Sequence, residues 1–188
     1  MNKNLLVVLG VIALVVVISG GWVINGYNGV VAMDENVKTA WAQVDNQLKR
    51  RFDLIPNLVE TVKGYAAHEK EVFEHLADAR TKYFQAPDVK GKIEASGDFE
   101  RALSRLLVLQ ETYPQLKANE TFLKMMDTLE GTENRLAVER KRYNDAVRTL
   151  NTYIRTVYGR FFASLAGVQK AEYYQVPEAE KAAPKVKF

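Results

Sequence analysis

The chain has 188 residues, which is enough for one membrane anchor and one domain of ordinary size. It carries 26 Lys and Arg against 23 Asp and Glu, a net charge of +3 with both signs dispersed along the sequence. This near balance argues against nucleic acid as a partner, because nucleic-acid binding requires a concentrated basic face. The sequence has no cysteine, which excludes a disulfide framework, a thiolate metal site and a lipid-modified cysteine.

An uncharged apolar segment, LLVVLGVIALVVVISGGWVI, occupies residues 5–24. Its 20 residues, at about 1.5 Å per helical residue, match a hydrocarbon core of about 30 Å. The segment therefore predicts a membrane-spanning helix whose partner is the lipid bilayer. The predicted span includes Leu5, Val11, Val17, Trp22 and Ile24.

A cleaved signal peptide is the competing interpretation of this segment. Ser19, Gly20 and Gly21 provide the small residues that signal peptidase requires for a cut before Trp22. Apolar residues continue beyond that point, however, and Trp22 suits the aromatic belt at the end of a retained span. We therefore favour retention of the segment as an anchor.

The charges on either side of the segment bear on its orientation. Lys3 precedes the span, and Asp34 and Glu35 follow it closely. This pattern favours a cytoplasmic N-terminus, so we predict a single-pass protein of the bacterial inner membrane with an extracytoplasmic domain. The basic residues at 49–51 lie slightly farther along and argue for the reverse orientation.

After the anchor, apolar residues recur at helical spacing. A first stripe predicts one helix, and its members are Val37, Trp41, Val44 and Leu48. A second stripe runs from Ile55 to Tyr83. Between the two, Asp53 can cap a new helix with Pro56 in its first turn. We therefore predict a tight reversal at residues 50–53, which would make the first two helices an antiparallel hairpin.

The second half of the chain shows two further helices. The small residues and the proline at 86–97 indicate a connection, after which Asp98 can cap a helix that Pro114 closes. Asn119 precedes a long run of helical spacing that includes Gly131. Beyond Gly159 the pattern becomes irregular, and the C-terminal prolines indicate an unstructured tail.

These elements predict an all-α fold, in which an N-terminal transmembrane helix precedes an antiparallel four-helix bundle with long helices and an irregular C-terminal tail. The corresponding domains are a membrane anchor at 1–26, the bundle at 27–167 and a largely unstructured tail at 168–188.

Several segments carry more information than periodicity. They are YN at 27–28, WAQVDNQLKRRFDLIPNLVETVKGYAAHE at 41–69, YPQLKANETF at 113–122 and GTENRLAVERKRYNDAV at 131–147. Together they resemble the LemA family over nearly the whole chain from the anchor to the tail. The resemblance implies a single-span membrane protein with a four-helix bundle and no established catalytic activity. It also implies a setting in envelope maintenance or in the quality control of membrane proteins beside membrane-bound proteases.

Polar residues on or beside the apolar stripes are the candidate functional positions: Asn28, Arg51, Asn57, Glu133, Asn134, Arg140 and Asn144. Buried amides and ion pairs among apolar layers either line a groove for a peptide or partner helix, or set the register of the bundle. We favour the register role. Glu133 or Asp53 would then hold an arginine between helices through a bidentate pair. A phosphate or lipid-headgroup site at residues 50–51 is the minority interpretation.

Catalysis and metal binding find little support in the sequence. His68 and His75 are the two histidines, and a zinc site needs three or four ligands, so we predict no metal and no cofactor. No HExxH, GxSxG or Walker-type glycine loop occurs, which argues against an enzyme.

The leading hypothesis is a scaffold or adaptor for unidentified membrane or envelope proteins, and the family resemblance adds a membrane protease to the candidates. Self-association is compatible with polar seams. The alternative is an extracytoplasmic sensory bundle that binds a ligand. Since only residues 1–4 precede the span, such a sensor would need a partner to transmit its signal.

Overall fold

The computed structural model describes residues 3–175, apart from the side chains of Lys3 and Leu5. Every regular element in this range is a helix, and no strand occurs in it, which confirms the all-α fold class. The helices are α1 (Lys3–Lys63), α2 (Lys70–Gln85), α3 (Val89–Thr112), the short α4 (Pro114–Lys117), α5 (Glu120–Arg155) and α6 (Val157–Ala166). Most of the predicted tail, residues 176–188, lies outside the described residues.

The described chain forms two compact units. The first combines residues 3–40 with 143–173, and the second combines residues 41–142 with Tyr174 and Gln175. The helices α1 and α5 therefore contribute residues to both units. The predicted division at 26 and 167 stays a prediction.

The second unit is a four-helix bundle made of the C-terminal part of α1, α2, α3 and the N-terminal part of α5. Arg51 of α1 contacts Glu133 of α5, while Tyr65, just after α1, contacts Asn119, just before α5. The residue numbers rise from Arg51 to Tyr65 on one side and fall from Glu133 to Asn119 on the other, so α1 and α5 are antiparallel. The helices α2 and α3 pack against each other across the short connection at 86–88.

Aromatic side chains form the centre of this bundle. Phe52 of α1 lies 4.5 Å from Tyr83 of α2 and 4.4 Å from Phe99 of α3, measured between ring centroids. All three residues are fully buried. Burial of each large apolar side chain contributes about 1.5–3 kcal/mol, so this group is a main source of cohesion between three helices.

The predicted reversal at residues 50–53 is wrong, because α1 continues through this point and Pro56 lies inside the helix. Phe52, Ile55 and Leu58 are all buried on either side of the proline. The apolar area they bury offsets the cost of about 3 kcal/mol for an interior proline. The actual turn lies between α1 and α2, where Ala66 N–H donates to the Val62 carbonyl at 2.9 Å.

The predicted connection at 86–97 and the predicted cap at Asp98 are also wrong. The connection is only Ala86–Asp88, and Asp88 caps α3 by accepting a hydrogen bond from Gly91 N–H at 2.8 Å. Asp98 therefore lies inside α3. Ser96 and Gly97 are buried, which shows that small residues here serve helix packing rather than a loop.

The long last helix of the bundle agrees with the sequence pattern. Asn119 Oδ1 accepts a hydrogen bond from Phe122 N–H at 2.9 Å, so it caps α5. The helix then runs through Gly131 without interruption to Arg155. Pro114 follows the end of α3 and begins α4.

The first unit contains α6, which follows α5 after a single residue. Thr156 caps α6 by accepting a hydrogen bond from Gly159 N–H at 2.9 Å, and Gly167 ends it in the left-handed region at φ 67°. The following segment is held on α5, because Asn151 makes two hydrogen bonds with the backbone of Ala171, at 2.8 and 3.0 Å. Ala171 is therefore bonded to α5, although residues 168–173 are not helical.

Substitution by alanine should have opposite effects on stability at two glycines, Gly131 of α5 and Gly159 of α6. A Cβ at Gly159 would lie 1.9 Å from the Tyr153 carbonyl oxygen, whereas a Cβ at Gly131 would meet nothing within 4 Å. We expect Gly159→Ala to lower the free energy of unfolding by about 1–3 kcal/mol through overpacking. Gly131→Ala should raise it by about 1 kcal/mol, since alanine favours the helix. Urea unfolding of the full chain in detergent measures both, and equal effects would contradict this interpretation.

Candidate functional site

Four charged side chains from three helices meet inside the bundle, and we refer to them as the charged cluster: Arg51 of α1, Glu100 of α3, and Glu133 and Arg140 of α5. Arg51 donates to both oxygens of Glu100 at 2.5 and 3.2 Å and also pairs with Glu133. Arg140 donates to both carboxylates at 3.4 Å. Each carboxylate therefore contacts both guanidinium groups.

The charged cluster is electrically balanced and largely removed from solvent. Only 4% of the Arg51 side chain and 14% of the Glu100 side chain are exposed, whereas Glu133 retains 41%. Burial raises the pKa of the Glu100 carboxyl; the Arg51 guanidinium opposes this, and the Glu133 carboxylate adds to it. Because two positive and two negative groups are paired, no uncompensated charge remains among the four.

Tyr174 extends the charged cluster. Its ring lies 4.6 Å from the Arg140 guanidinium carbon, and its hydroxyl is 2.6 Å from the hydroxyl of Ser96 on α3. Tyr174 is buried, and this burial raises the pKa of its phenol. Tyr174, which follows the last helix, therefore contacts polar side chains of both α3 and α5 in the interior of the bundle.

A second polar group surrounds Asp45 of α1. Its carboxylate accepts from Tyr83 at 2.6 Å and pairs with Lys92 at 2.8 Å and Lys49 at 2.6 Å. Burial by itself would raise the pKa of Asp45, but these hydrogen bonds outweigh it and lower the pKa to about 2. Asp45 thus stays ionised and joins α1 to both α2 and α3.

This arrangement is suited to holding helices in one register. A bidentate arginine pair is directional, and slipping α1 by one turn would leave the Arg51 charge buried without its carboxylates. Within residues 3–175, no group of three or more His, Cys, Asp or Glu side chains is placed to hold a metal ion.

The structure brings together three of the seven predicted polar positions, namely Arg51, Glu133 and Arg140. Asn28, Asn57 and Asn134 are exposed on their helices, and Asn144 is half-buried in α5. The roles of all seven remain predictions.

The neighbouring charged positions considered in the sequence are placed differently. Asp53 and Arg50 are exposed, so Glu133 rather than Asp53 contacts the arginines. Arg50 and Arg51 do not face one ligand, since Arg51 is directed to Glu100 and Glu133. His75 is exposed and lies 3.3 Å from Glu71, and His68 is exposed in the turn before α2.

Sequence reasoning missed Glu100 and Asp45. Glu100 directly follows buried Phe99 and precedes buried Leu103 by three residues, so its place beside the apolar stripe was a usable signal. Asp45 similarly follows buried Val44. In both cases the neighbouring stripe indicates burial, whereas the partner becomes visible only when the helices are assembled.

The predicted span lies at the N-terminal end of α1. Val11, Val17, Trp22 and Ile24 all have more than half of their surface exposed, while the side chain of Leu5 lies outside the described part. Among the described residues, α1 is the one helix long and apolar enough to cross a membrane, and every residue from Leu6 to Ile24 is exposed.

These features define a class of all-helical proteins in which one apolar N-terminal helix continues into a helical bundle. That architecture is consistent with a single-pass membrane protein. A sequence model of the LemA family matches residues 40–188, which covers the bundle and lies beyond the apolar segment. The chain belongs to the LemA family.

Several individual proteins are also similar in sequence to this chain. Magnetosome protein MamQ 2 of Paramagnetospirillum magneticum is 30% identical over 175 residues, and the match covers 79% of this chain and 64% of that protein. MamQ of Magnetospirillum gryphiswaldense is 26% identical, with 91% of this chain and 72% of that protein covered. Protein LemA of Metamycoplasma hominis is 21% identical over 83% of this chain and 72% of its own length. The chain thus spans less than two thirds of MamQ 2.

The charged cluster predicts a large difference between two arginine substitutions. Arg51→Ala removes a buried guanidinium and leaves Glu100 without its bidentate partner, so we expect a loss of about 3–5 kcal/mol in the free energy of unfolding. The matched control is Arg101→Ala, because Arg101 pairs with Asp98 on the same helix and its side chain is 57% exposed. This control should cost less than about 1 kcal/mol. Similar losses for both variants in urea unfolding would refute the structural role of the cluster.

Proposed function

We propose that this chain is a single-pass membrane protein whose helical bundle acts as a scaffold or adaptor for protein partners at the bacterial envelope. The proposal assigns no catalytic step to the bundle. It includes an inner-membrane location with the bundle on the extracytoplasmic side, and it takes membrane or envelope proteins, among them membrane-bound proteases, as the class of partner.

The observation that carries the proposal is the exposed apolar segment of α1. Every residue from Leu6 to Ile18 is exposed, so no other part of the described chain covers this stretch. Exposure of a contiguous apolar surface of this size to water is energetically unfavourable, whereas a bilayer matches both the length and the composition of the segment. The same helix then supplies the first helix of the bundle.

One end of the bundle offers apolar side chains for a partner. The turn after α1 and the connection before α5 meet there, since Asn119 donates to the Tyr65 hydroxyl at 2.9 Å and Tyr113 donates to Glu69 at 3.1 Å. Three apolar side chains near this end are exposed, by 39% for Tyr65, 59% for Val108 and 46% for Leu123. We propose that partner contacts include this end of the bundle.

A photocrosslinking experiment in native membranes tests the proposal. A photoreactive phenylalanine replaces Val108 or Leu123 in the full chain, and exposed Lys141 in the same unit serves as the matched control position. We expect the two apolar positions to give discrete adducts with other membrane or envelope proteins, and the control position to give none. Absence of adducts at all three positions, or the same adducts at all three, would contradict the adaptor role.

A further inference from the structure

The short helix α6 has three distinct sides. Its buried side, formed by Gly159, Phe162 and Ala163, packs inside the first unit. A second side is apolar yet exposed, by 92% for Val157, 57% for Phe161 and 55% for Leu165. These three residues are spaced by four, so they follow one another along a single edge of the helix.

The remaining side of α6 is polar. Arg160 and Ser164 are exposed and are also spaced by four, and at about 100° per residue they lie beside the apolar edge, on the side away from Phe162. Arg155, at the end of α5, adds a second exposed cation before the helix begins. A helix that carries an apolar edge next to basic and hydroxyl side chains has the composition of a helix lying in a membrane interface.

The side of α6 that adjoins this apolar edge packs against the end of the predicted span. The Trp22 ring lies 5.1 Å from the Tyr158 ring and 5.3 Å from the Phe162 ring, in edge-on contacts. Phe162 also lies directly on Gly26, where a Cβ would come within 2.5 Å of the ring. Trp22 and Gly26 flank Ile24, the last residue of the span, so α6 is held at the level where α1 leaves the apolar segment.

We propose that α6 is an interfacial membrane helix whose edge of Val157, Phe161 and Leu165 inserts into the bilayer beside α1, with Arg160 at the level of the lipid headgroups. This inference rests on the membrane anchoring in the proposed function. We assign the bilayer as the partner of the apolar edge because α6 packs on Trp22 and Gly26. This packing puts the edge next to the surface of α1 that the proposed anchoring exposes to lipid. Anionic headgroups complement the two arginines.

Depth-dependent fluorescence quenching tests this inference in the intact chain. Because the sequence has no cysteine, Phe161→Cys, Ser164→Cys and Val17→Cys each give a single labelling site for an environment-sensitive fluorophore. The labelled chains are reconstituted into phosphatidylcholine–phosphatidylglycerol vesicles with lipids spin-labelled either near the headgroup or near the chain end. Circular dichroism confirms that each labelled chain remains helical.

We expect the shallow spin label to quench the probe at position 161 about threefold more strongly than the probe at position 164, because only the apolar edge enters the acyl boundary. The deep spin label should quench the probe at position 17. If position 17 is quenched and position 161 is not, the interfacial role of α6 is wrong while the anchoring stands. If position 17 is not quenched either, the anchoring itself fails. A probe at 161 that is shielded from water but not quenched by either lipid would show that protein covers α6, which also overturns the inference.

Discussion

The buried charge of Arg51 must be neutralised, and this requirement constrains how α1, α3 and α5 pack. Since the guanidinium lies in the bundle interior, the fold must supply carboxylates there, and it does so with Glu100 from α3 and Glu133 from α5. Arg140 also donates to both of these carboxylates. The aromatic contacts of Phe52 lie at the next position of α1, so apolar packing and ion pairing act at the same level of the bundle.

The sequence predicted the elements that depend on local pattern. The apolar segment, the long helix that follows Asn119 and three members of the charged cluster were all singled out from residue type and spacing. It failed where tertiary packing overrides a local signal: Asp53 and Pro56 resemble a helix start, but burial of Phe52 and Leu58 carries α1 through them. Glu100 was missed for a related reason, because a charged residue beside a stripe reveals its role only when its partners from α1 and α5 are known.

In the proposed function, the two compact units have different tasks. The unit containing residues 3–40 and α6 presents apolar surface, first along the predicted span and then along the edge of α6. The unit containing residues 41–142 holds the polar networks at Arg51 and Asp45, and it has exposed apolar side chains at one end, where the proposed function places partner contacts. The match to the LemA family begins at residue 40 and therefore follows the bundle rather than the anchor. Membrane attachment and partner binding can thus be tested by separate substitutions.

The most direct test of the central claim, a membrane anchor joined to an extracytoplasmic bundle, is single-cysteine labelling in intact cells with a membrane-impermeant maleimide. Cysteines replace Val11 and Val17 in the predicted span and exposed Ser104 in the bundle. The account predicts that position 104 is labelled in intact cells, while positions 11 and 17 resist labelling even after lysis because lipid surrounds them. Labelling of positions 11 and 17 after lysis would contradict the anchor, and labelling of position 104 only after lysis would place the bundle in the cytoplasm.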